Sequence, residues 1–213
     1  MAVIKGIYPT RVVPDKYWKN PEIDPKTLRP KPEKDVLLIV GDATGVIKDL
    51  NGFLDFGVDF DTMAINYSPK VIPWKLQHYV AGDSQDKEMR AMAKAMTNGC
   101  IKHCWNPDMG AFDVYWRRTS PGWNGTTANL CVKIGIALGY TRLVLAGVPI
   151  DNSGNWYAPY LKKNDVKKDK NHKYHLWKWT EIASRPVGRF IRSMSGNTAE
   201  LLGKPTKEWL NER

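Results

Sequence analysis

The sequence predicts an α/β protein in which a doubly wound, mostly parallel sheet is flanked by helices and preceded by a proline-rich arm. Short, continuous apolar runs such as VLLIV at residues 36–40 are typical of strands that are buried on both faces of a sheet. These runs alternate along the chain with segments of helical periodicity, and that order favours a parallel sheet. Several of the runs end in glycine, where a strand is expected to turn into the next helix.

The composition fits one domain with a substantial core. The chain has 213 residues, of which 42% are hydrophobic, and no apolar run approaches the 18 residues of a membrane span. Its three cysteines, an odd number, argue against a disulfide framework and indicate a reducing compartment, so we expect a cytoplasmic protein. The net charge of +10 fits either a solvated, lysine-rich surface or an anionic partner, which would be a nucleotide phosphate or a nucleic acid.

Residues 1–34 are predicted to form an extended arm, and residues 35–213 a single folded domain. Proline fixes φ and removes a backbone donor, and many of the fourteen prolines lie in the arm. Tyr17 and Trp18 suggest that the arm packs on the body of the protein or on a partner.

Strands and helices alternate through the predicted domain. The strands are expected at residues 36–40, 62–66, within 74–83, and at 100–104, 112–117, 143–146 and 190–194. The helices are expected at residues 85–96 with Ser84 as the cap, 126–138 with Gly139 as the stop, 174–184, 198–202 and 206–210.

Polar residues follow the first three predicted strands, at the edge where open α/β sheets bind ligands. Gly41, Asp42 and Thr44 follow the first strand, Asn66 ends the second and Asp83 follows the third. An asparagine there can donate to a phosphate or accept from a sugar hydroxyl, and Asp83 is a candidate ligand for a metal or a ribose hydroxyl. Each residue also has an ordinary explanation, because glycine and asparagine form turns and aspartate caps helices.

The first glycine turn excludes two common nucleotide motifs. Residues 41–45 lack the G-x-G-x-x-G pattern of dinucleotide sites and the G-K-[ST] of P-loops, so NAD binding and P-loop ATP hydrolysis are poorly supported. A hydroxyl-rich segment, NGTT at residues 124–127, precedes a predicted helix. Free N–H groups at a helix start bind anions, so Thr126 and Thr127 are candidate phosphate contacts as well as an ordinary cap.

A lysine-rich segment at residues 160–175 is predicted to be either a solvated loop or a lid that closes over an anionic ligand. Its lysines include Lys162, Lys163, Lys167 and Lys168. His172 and His175 end the segment, and a histidine that titrates near neutral pH can take a proton from an acceptor hydroxyl. His175 has a second interpretation as a structural residue at the start of an aromatic helix.

The remaining histidines and cysteines are interpreted as structural. His78 lies in an apolar strand context. Cys100, His103 and Cys104 contain metal-ligating atoms, but alternation along a strand points His103 and Cys104 to opposite faces, so we expect no zinc site here.

The stretch at residues 126–158, TTANLCVKIGIALGYTRLVLAGVPIDNSGNWYA, resembles the signature region of bacterial CMP-sialic acid-dependent sialyltransferases. It also resembles the related 6-hydroxymethylpterin pyrophosphokinase (MptE-like) proteins common in phages and archaea. RSMSGNTAELLGKP at residues 192–205 is similar to phage members of this group. The resemblance covers roughly residues 35–205 and implies a Rossmann-like nucleotide-binding domain, in the host cytoplasm if a phage encodes it.

The resemblance implies roles for individual residues. Asp42 stands where the sialyltransferases have an asparagine near the nucleotide, and Asn66 matches a second nucleotide-contacting asparagine. Thr126 and Thr127 match a Thr-Ser pair that contacts the nucleotide, and Tyr157 matches a tyrosine that assists the leaving phosphate.

The catalytic base of the sialyltransferases is a histidine just after a mobile lid, and either His172 or His175 matches it. The chain also departs from the pattern after Gly147. Asp151 replaces a second phosphate-assisting tyrosine, and Pro149 replaces the usual acid. These departures fit a metal-assisted nucleotide site, or a fold that has lost the chemistry, better than they fit sialic acid itself.

The sequence therefore predicts a glycosyltransferase-like, nucleotide-dependent transferase that moves a sugar from a nucleotide-sugar donor to a hydroxyl acceptor, with histidine as general base. Its expected cofactors are a nucleotide or nucleotide-sugar, with Mg2+ as a further candidate. The alternatives are an MptE-like pyrophosphokinase, a phage DNA-modifying or nucleic-acid-binding protein, and a non-catalytic virion-associated protein that keeps the fold. A homo-oligomer is compatible with all of these.

Overall fold

The sheet is the organising element of the computed structural model, which describes residues 9–12, 34–82, 86–96, 99–105, 111–116, 125–151, 153–154 and 172–212. Its strands are β1 (Pro9–Val12), β2 (Val36–Val40), β3 (Asp61–Ile65), β4 (His78–Ala81), β5 (Ile101–Cys104), β6 (Val114–Trp116), β7 (Arg142–Ala146) and β8 (Ile191–Ser193). Their order across the sheet is β1-β6-β5-β4-β3-β2-β7-β8. Only the edge strand β1 is antiparallel to its neighbour, and every other pair is parallel.

Helices cover both faces of this sheet. They are α1 (Val46–Leu54), α2 (Lys87–Ala95), α3 (Thr127–Leu138), α4 (His172–Ala183), α5 (Gly196–Leu202) and α6 (Lys207–Asn211). The buried side chains of α1, α2 and α6 belong to the core on one face, and those of α3, α4 and α5 to the core on the other. From β2 the chain winds outward to β6, and α3 then carries it back to β7 on the other side of β2. The predicted doubly wound, mostly parallel α/β fold is confirmed.

The predicted strands and helices agree with the structure to within a few residues, with one wrong cap. The side chain of Asp86, rather than Ser84, accepts hydrogen bonds from the N–H groups of Glu88 at 2.8 Å and Met89 at 3.0 Å. Helix α2 therefore begins at Lys87.

Three further differences concern elements near the candidate site and the arm. Helix α4 is helical from its first described residue, His172, which lies two residues before the predicted start at residue 174. Helix α1 was not predicted as a separate element, although its buried Val46, Leu50 and Phe53 have helical spacing. Strand β1 lies within the predicted arm, whose other residues up to 33 lie outside the described ranges, so the boundary between arm and domain stays a prediction.

Within the described ranges, none of the helices has both the length and the apolar content that a membrane span requires.

Helix α3 lies unusually close to the centre of the sheet. A Cβ atom on Gly135 would lie 2.7 Å from Leu143 Cδ2 and 2.8 Å from Leu37 Cδ2, so the helix packs on β2 and β7 through a bare backbone position. Gly139, with a φ of 101°, ends the helix in the left-handed conformation. This close packing fixes the helix axis and hence the position of its amino-terminal end over the sheet.

We expect Gly135→Ala to lower the free energy of unfolding by about 1–3 kcal/mol, because the added methyl group would overpack the contact with the sheet. Gly52→Ala in α1 is the matched control. A Cβ there would lie 3.4 Å from only the flexible end of Met194, so this change is expected to stabilise the helix by about 0.5–1 kcal/mol. Urea unfolding of both variants measures the difference, and equal effects would contradict the close packing of α3.

A chain of buried hydrogen bonds links β6, β5, β4 and β3. Trp116 Nε1 donates to His103 Nδ1 at 3.0 Å, so His103 carries its proton on Nε2 and donates to His78 Nδ1 at 3.3 Å. His78 Nε2 then donates to the hydroxyl of Tyr140 at 3.0 Å, which donates to Asp61 Oδ2 at 2.8 Å. Two of these bonds are accepted by a ring nitrogen, of His103 and of His78, and therefore require both imidazoles to be neutral. The buried, hydrogen-bonded position of His78 agrees with its predicted structural role.

Burial lowers the pKa of His78 to about 3 and, together with the neighbouring His78, holds the pKa of His103 well below its ordinary value. The unfolded imidazoles take up protons near pH 6.5, whereas the folded ones do not. Stability is therefore lost as the pH falls below about 6.5, and each buried histidine contributes about 1.4 kcal/mol per pH unit in that window.

We expect the free energy of unfolding, measured with urea between pH 7.5 and 4.5, to fall as the solution is acidified. His172→Gln should leave this slope unchanged, because His172 lies half-buried at the start of α4 and outside the chain. A profile that stays flat from pH 7 to pH 5 would contradict the neutral state of the buried pair.

Candidate functional site

The structure describes ten of the predicted site residues, all on connections after strands or at helix starts. After strands lie Gly41, Asp42, Thr44, Asn66, Gly147 and Asp151, and at the starts of α3 and α4 lie Thr126, Thr127, His172 and His175. The other predicted residues, Tyr157, Asp83, Lys162, Lys163, Lys167 and Lys168, lie outside the described ranges.

The two central strands, β2 and β7, end in glycine turns that bond to each other. Gly41 N donates to Ala146 O at 2.8 Å, and Ala43 N donates to Gly147 O at 3.2 Å. A Cβ atom on Gly41 would overlap the carbonyl oxygen of Gly147, and Gly147 itself has a φ of 66°. Both glycines are therefore required by close backbone packing, whether or not a ligand approaches them.

Thr44 and Asp151 continue this junction. Thr44 Oγ1 donates to Ser153 O at 3.0 Å, and the carboxylate of Asp151 accepts from Ser153 N at 2.9 Å. Thr44 ties the connection after β7 to the turn after β2, whereas the Asp151 carboxylate bonds within that connection. Their polar atoms are thus engaged with the protein's own backbone, which sets them apart from the predicted residues described next.

Asp42 lies half-buried after β2, and burial raises its pKa to about 6 against the opposing effect of a hydrogen bond to its own backbone. A carboxylate whose charged form is disfavoured by its surroundings is a candidate functional group, because folding alone would favour a neutral residue there.

Asn66 follows β3 and has an unusual backbone. Its φ is 49°, in the left-handed region that asparagine tolerates better than most residues, and its N–H donates to Val80 O at 3.0 Å. Its side-chain oxygen is buried and has no hydrogen-bond partner among the described residues. Native proteins satisfy nearly all buried polar atoms, so this oxygen marks a place where a ligand can donate.

The amino-terminal end of α3 reaches the carboxyl end of β4. A Cβ atom on Gly82, the residue after β4, would overlap Oγ1 of Thr127, the first residue of α3. Ile65 pairs with Val80 in the neighbouring strands, so Asn66 and Gly82 follow adjacent strand ends. The structure thus brings Asn66 and Thr127, two of the predicted nucleotide contacts, to the same part of the edge.

Asn129 is a candidate that the sequence did not reveal. Its Oδ1 accepts hydrogen bonds from Thr126 N at 2.7 Å and from Thr126 Oγ1 at 3.1 Å, so the side chain folds back onto the start of α3. The residue is fully buried, and its Nδ2 has no partner among the described residues. The arrangement follows the capping-box spacing, with asparagine in place of the usual Glu or Gln at the third helical position, which is the signal that could have identified it.

Helix α4 lies beside this helix start. A Cβ atom on Gly125 would lie 3.4 Å from Lys178 Cβ in α4. His175 precedes Lys178 by three residues and therefore shares its side of the helix, while His172 begins the helix. Both histidines are half-buried, so the structure places the candidate bases on the helix that borders Thr126 and Thr127.

The described part of the chain contains no group of three His, Cys, Asp or Glu side chains that could hold a metal ion together. Cys104 lies in the core under α1 and α2, whereas His103 bonds to Trp116, which belongs to the core on the other face.

Comparisons with protein-family models and with curated proteins find no match. Among solved structures, the chain is similar to the sialyltransferase CST-II, which was crystallised with a trisaccharide acceptor and CMP. The identity is 15%, the TM-score is 0.49, and the alignment covers 84% of this chain and 88% of that one. At that level of similarity the fold of this chain follows from its own strand order, and its function must be argued from its own residues.

We expect Asp42→Asn to raise the melting temperature at pH 7.5 and to change it little at pH 4.5. The folded state holds a proton on Asp42 up to about pH 6, whereas the unfolded state releases it near 3.8, so ionisation destabilises the native protein as the pH rises through this window. This contribution opposes that of the buried histidines.

Asp35→Asn is the matched control, because Asp35 is exposed at the other end of β2. Thermal unfolding at the two pH values makes the comparison. If both variants behave alike, or if Asp42→Asn destabilises the protein at pH 7.5, the carboxyl group is not in the unfavourable environment described here.

Proposed function

We propose that the protein is a nucleotide-dependent, glycosyltransferase-like transferase whose nucleotide phosphate binds at the amino-terminal end of α3. The observation that supports this most is the buried side-chain nitrogen of Asn129, which lies at a helix start and for which the described residues supply no acceptor. Leaving such a donor unpaired costs about 1–3 kcal/mol, and an anionic oxygen at the helix start would satisfy it. The resemblance of residues 126–158 to nucleotide-dependent transferases points to the same residues.

The phosphate is held by three kinds of donor. By helix geometry the N–H groups of Thr127 and Ala128 have no intrahelical acceptor, whereas Asn129 N bonds to Thr126 O at 3.0 Å, and the helix dipole favours a negative charge at this end. Thr127 Oγ1 and Asn129 Nδ2 add side-chain donors at the same end. Together these groups form an anion site without requiring a basic side chain.

The sugar lies toward the ends of β2 and β3. The buried Oδ1 of Asn66 accepts from a hydroxyl group, and the Asp42 carboxylate, which is ionised above about pH 6, does the same. A carboxylate repels phosphate, so Asp42 fits the hydroxyl-bearing part of the ligand and not its charged part. The nucleotide-sugar would therefore lie along the edge of the sheet with its sugar at β2 and β3 and its phosphate at α3.

The transfer step needs a base for the acceptor hydroxyl. In the proposed step the acceptor oxygen bonds to the anomeric carbon, its proton passes to His175 or His172, and the bond from that carbon to the phosphate oxygen breaks. Both histidines belong to α4, which borders the start of α3. Tyr157 would assist the leaving phosphate and the lysines of residues 160–175 would cover it, roles that rest on the resemblance and the sequence alone.

A pyrophosphokinase of the MptE-like type is the alternative within the same site. It would require Mg2+, for which the sequence offers Asp83, outside the described ranges.

We expect CMP, UDP, ADP or ATP to bind in isothermal titration calorimetry, and Thr127→Val and Asn129→Asp to weaken that binding about tenfold or more. The first variant removes a hydroxyl donor, and the second keeps the cap acceptor while replacing the unpaired donor by an oxygen that repels phosphate. Thr180→Val, an exposed threonine on α4, is the control and should bind as the wild type does. Titrations with and without magnesium compare the two proposed activities, because nucleotide binding that depends on Mg2+ would favour the pyrophosphokinase over the glycosyltransferase-like enzyme.

Cytidine, which lacks the phosphate of CMP, distinguishes the phosphate-binding part of the site from the part that would bind the sugar. Thr127→Val should weaken CMP binding but not cytidine binding, whereas Asn66→Gly, which keeps the left-handed backbone, should weaken both. Absence of binding by every nucleotide, or wild-type affinity in both the Thr127 and Asn129 variants, would refute the proposal.

A further inference from the structure

The amino-terminal half of α4 carries two large aromatic side chains into solvent. Tyr174 is 49% exposed and Trp177 is 57% exposed, and they lie one turn apart with ring centroids separated by 6.0 Å. Exposed aromatic rings that adjoin one another are unusual on a soluble protein and mark interaction surfaces. We call these two rings, with the lysines beside them, the α4 platform.

The α4 platform is positively charged. Residues 172–179 contain Lys173 and Lys178 and no acidic residue. The ammonium of Lys178 lies 4.0 Å from the ring centroid of Trp177 and 5.5 Å from that of Tyr174. It covers one face of the indole, so the exposed area of Trp177 belongs to the opposite face and the ring edge.

The acid nearest to the platform does not cancel this charge. Glu181, the acidic residue of α4, is shared between Lys178 at 3.3 Å and Arg185. A second buried lysine, Lys133 of α3, has its pKa lowered to about 8, mainly by burial and also by repulsion from Lys178. Three cationic groups thus surround one carboxylate, and the region keeps a net positive charge.

We propose that the α4 platform binds single-stranded nucleic acid, with unpaired bases stacked on Trp177 and Tyr174 and the phosphates attracted by the lysines. Aromatic rings interleaved with cations match the alternation of bases and phosphates in a single strand. A duplex hides its base faces from such rings, and a neutral glycan gains nothing from the cations. A second copy of this chain, which carries a net charge of +10, is repelled. The inference does not depend on nucleotide binding at α3.

The test is fluorescence anisotropy with a fluorescein-labelled, mixed-sequence, single-stranded DNA 20-mer, without nucleotide, from 50 to 300 mM NaCl. We expect Trp177→Ala to raise Kd about tenfold or more, because stacking contributes about that much per base, and Trp177→Phe to retain most of the affinity. Lys173→Gln should weaken binding and reduce the salt slope by about one, since Lys173 is exposed.

Leu54→Ala is the control, because Leu54 is 42% exposed on α1, on the other face of the sheet, and should bind as the wild type does. The melting temperature of each variant checks that the fold is kept. Absence of binding at 50 mM NaCl overturns the inference. So does wild-type affinity in Trp177→Ala, or equal affinity for a duplex of the same sequence, since either result would mean that charge alone attracts the DNA. Trp177 and Lys173 are not among the groups assigned to the phosphate at α3, so a loss of affinity in these two variants reports on the α4 platform.

Discussion

The doubly wound sheet depends on how the chain joins β2 to β7, the two strands where the direction of winding reverses. Asp49 of α1 is central to that junction. It is buried, and its Oδ2 accepts hydrogen bonds from Gly147 N at 2.8 Å and from Ser195 Oγ at 2.6 Å. One carboxylate oxygen therefore ties the helix after β2 to the ends of both β7 and β8. The bare backbones of Gly41 and Gly147 let the two turns approach closely enough to bond directly.

This junction determines where a ligand can bind. In open α/β sheets the ligand usually occupies the crevice at the reversal point, but here the protein's own backbone bonds fill much of that space. Two buried side-chain atoms that have no partner among the described residues lie to one side, Oδ1 of Asn66 after β3 and Nδ2 of Asn129 in α3. Thr127 connects the two positions by its contact with Gly82. The candidate site is thus displaced from β2 and β7 toward β3 and β4, and α3 supplies its anion-binding end.

The sequence predicted most of the sheet because strands that are buried on both faces are largely apolar. The apolar runs in VLLIV at β2 and RLVLA at β7 are typical of such strands. It did not predict which residue caps α2, because serine and aspartate are both good caps and residue type alone does not choose between Ser84 and Asp86.

The meaning of individual polar residues was harder to predict. Gly41 and Gly147 look the same in sequence whether they admit a ligand or another backbone, and the contact that decides joins turns far apart in the chain. Asn129 has the spacing of a capping-box residue, but that spacing does not show that the side chain is fully buried or that its Nδ2 lacks a partner among the described residues. Thr126, Thr127 and Asn66 were predictable as candidates because strand ends and helix starts can be read from local patterns.

The charges along this edge favour one orientation of a ligand over its reverse. Asp42, at the β2 side, disfavours phosphate once it ionises, whereas α3 presents unpaired donors and the positive end of its dipole. Lysines follow on α4, where Lys178 lies beside Gly125 at the start of α3. The electrostatic environment therefore becomes more favourable to anions from β2 through α3 to α4. In the proposed site, a molecule with hydroxyl groups at one end and phosphate at the other would place its hydroxyls at β2 and β3, because the reverse orientation would bring the phosphate against the Asp42 carboxylate.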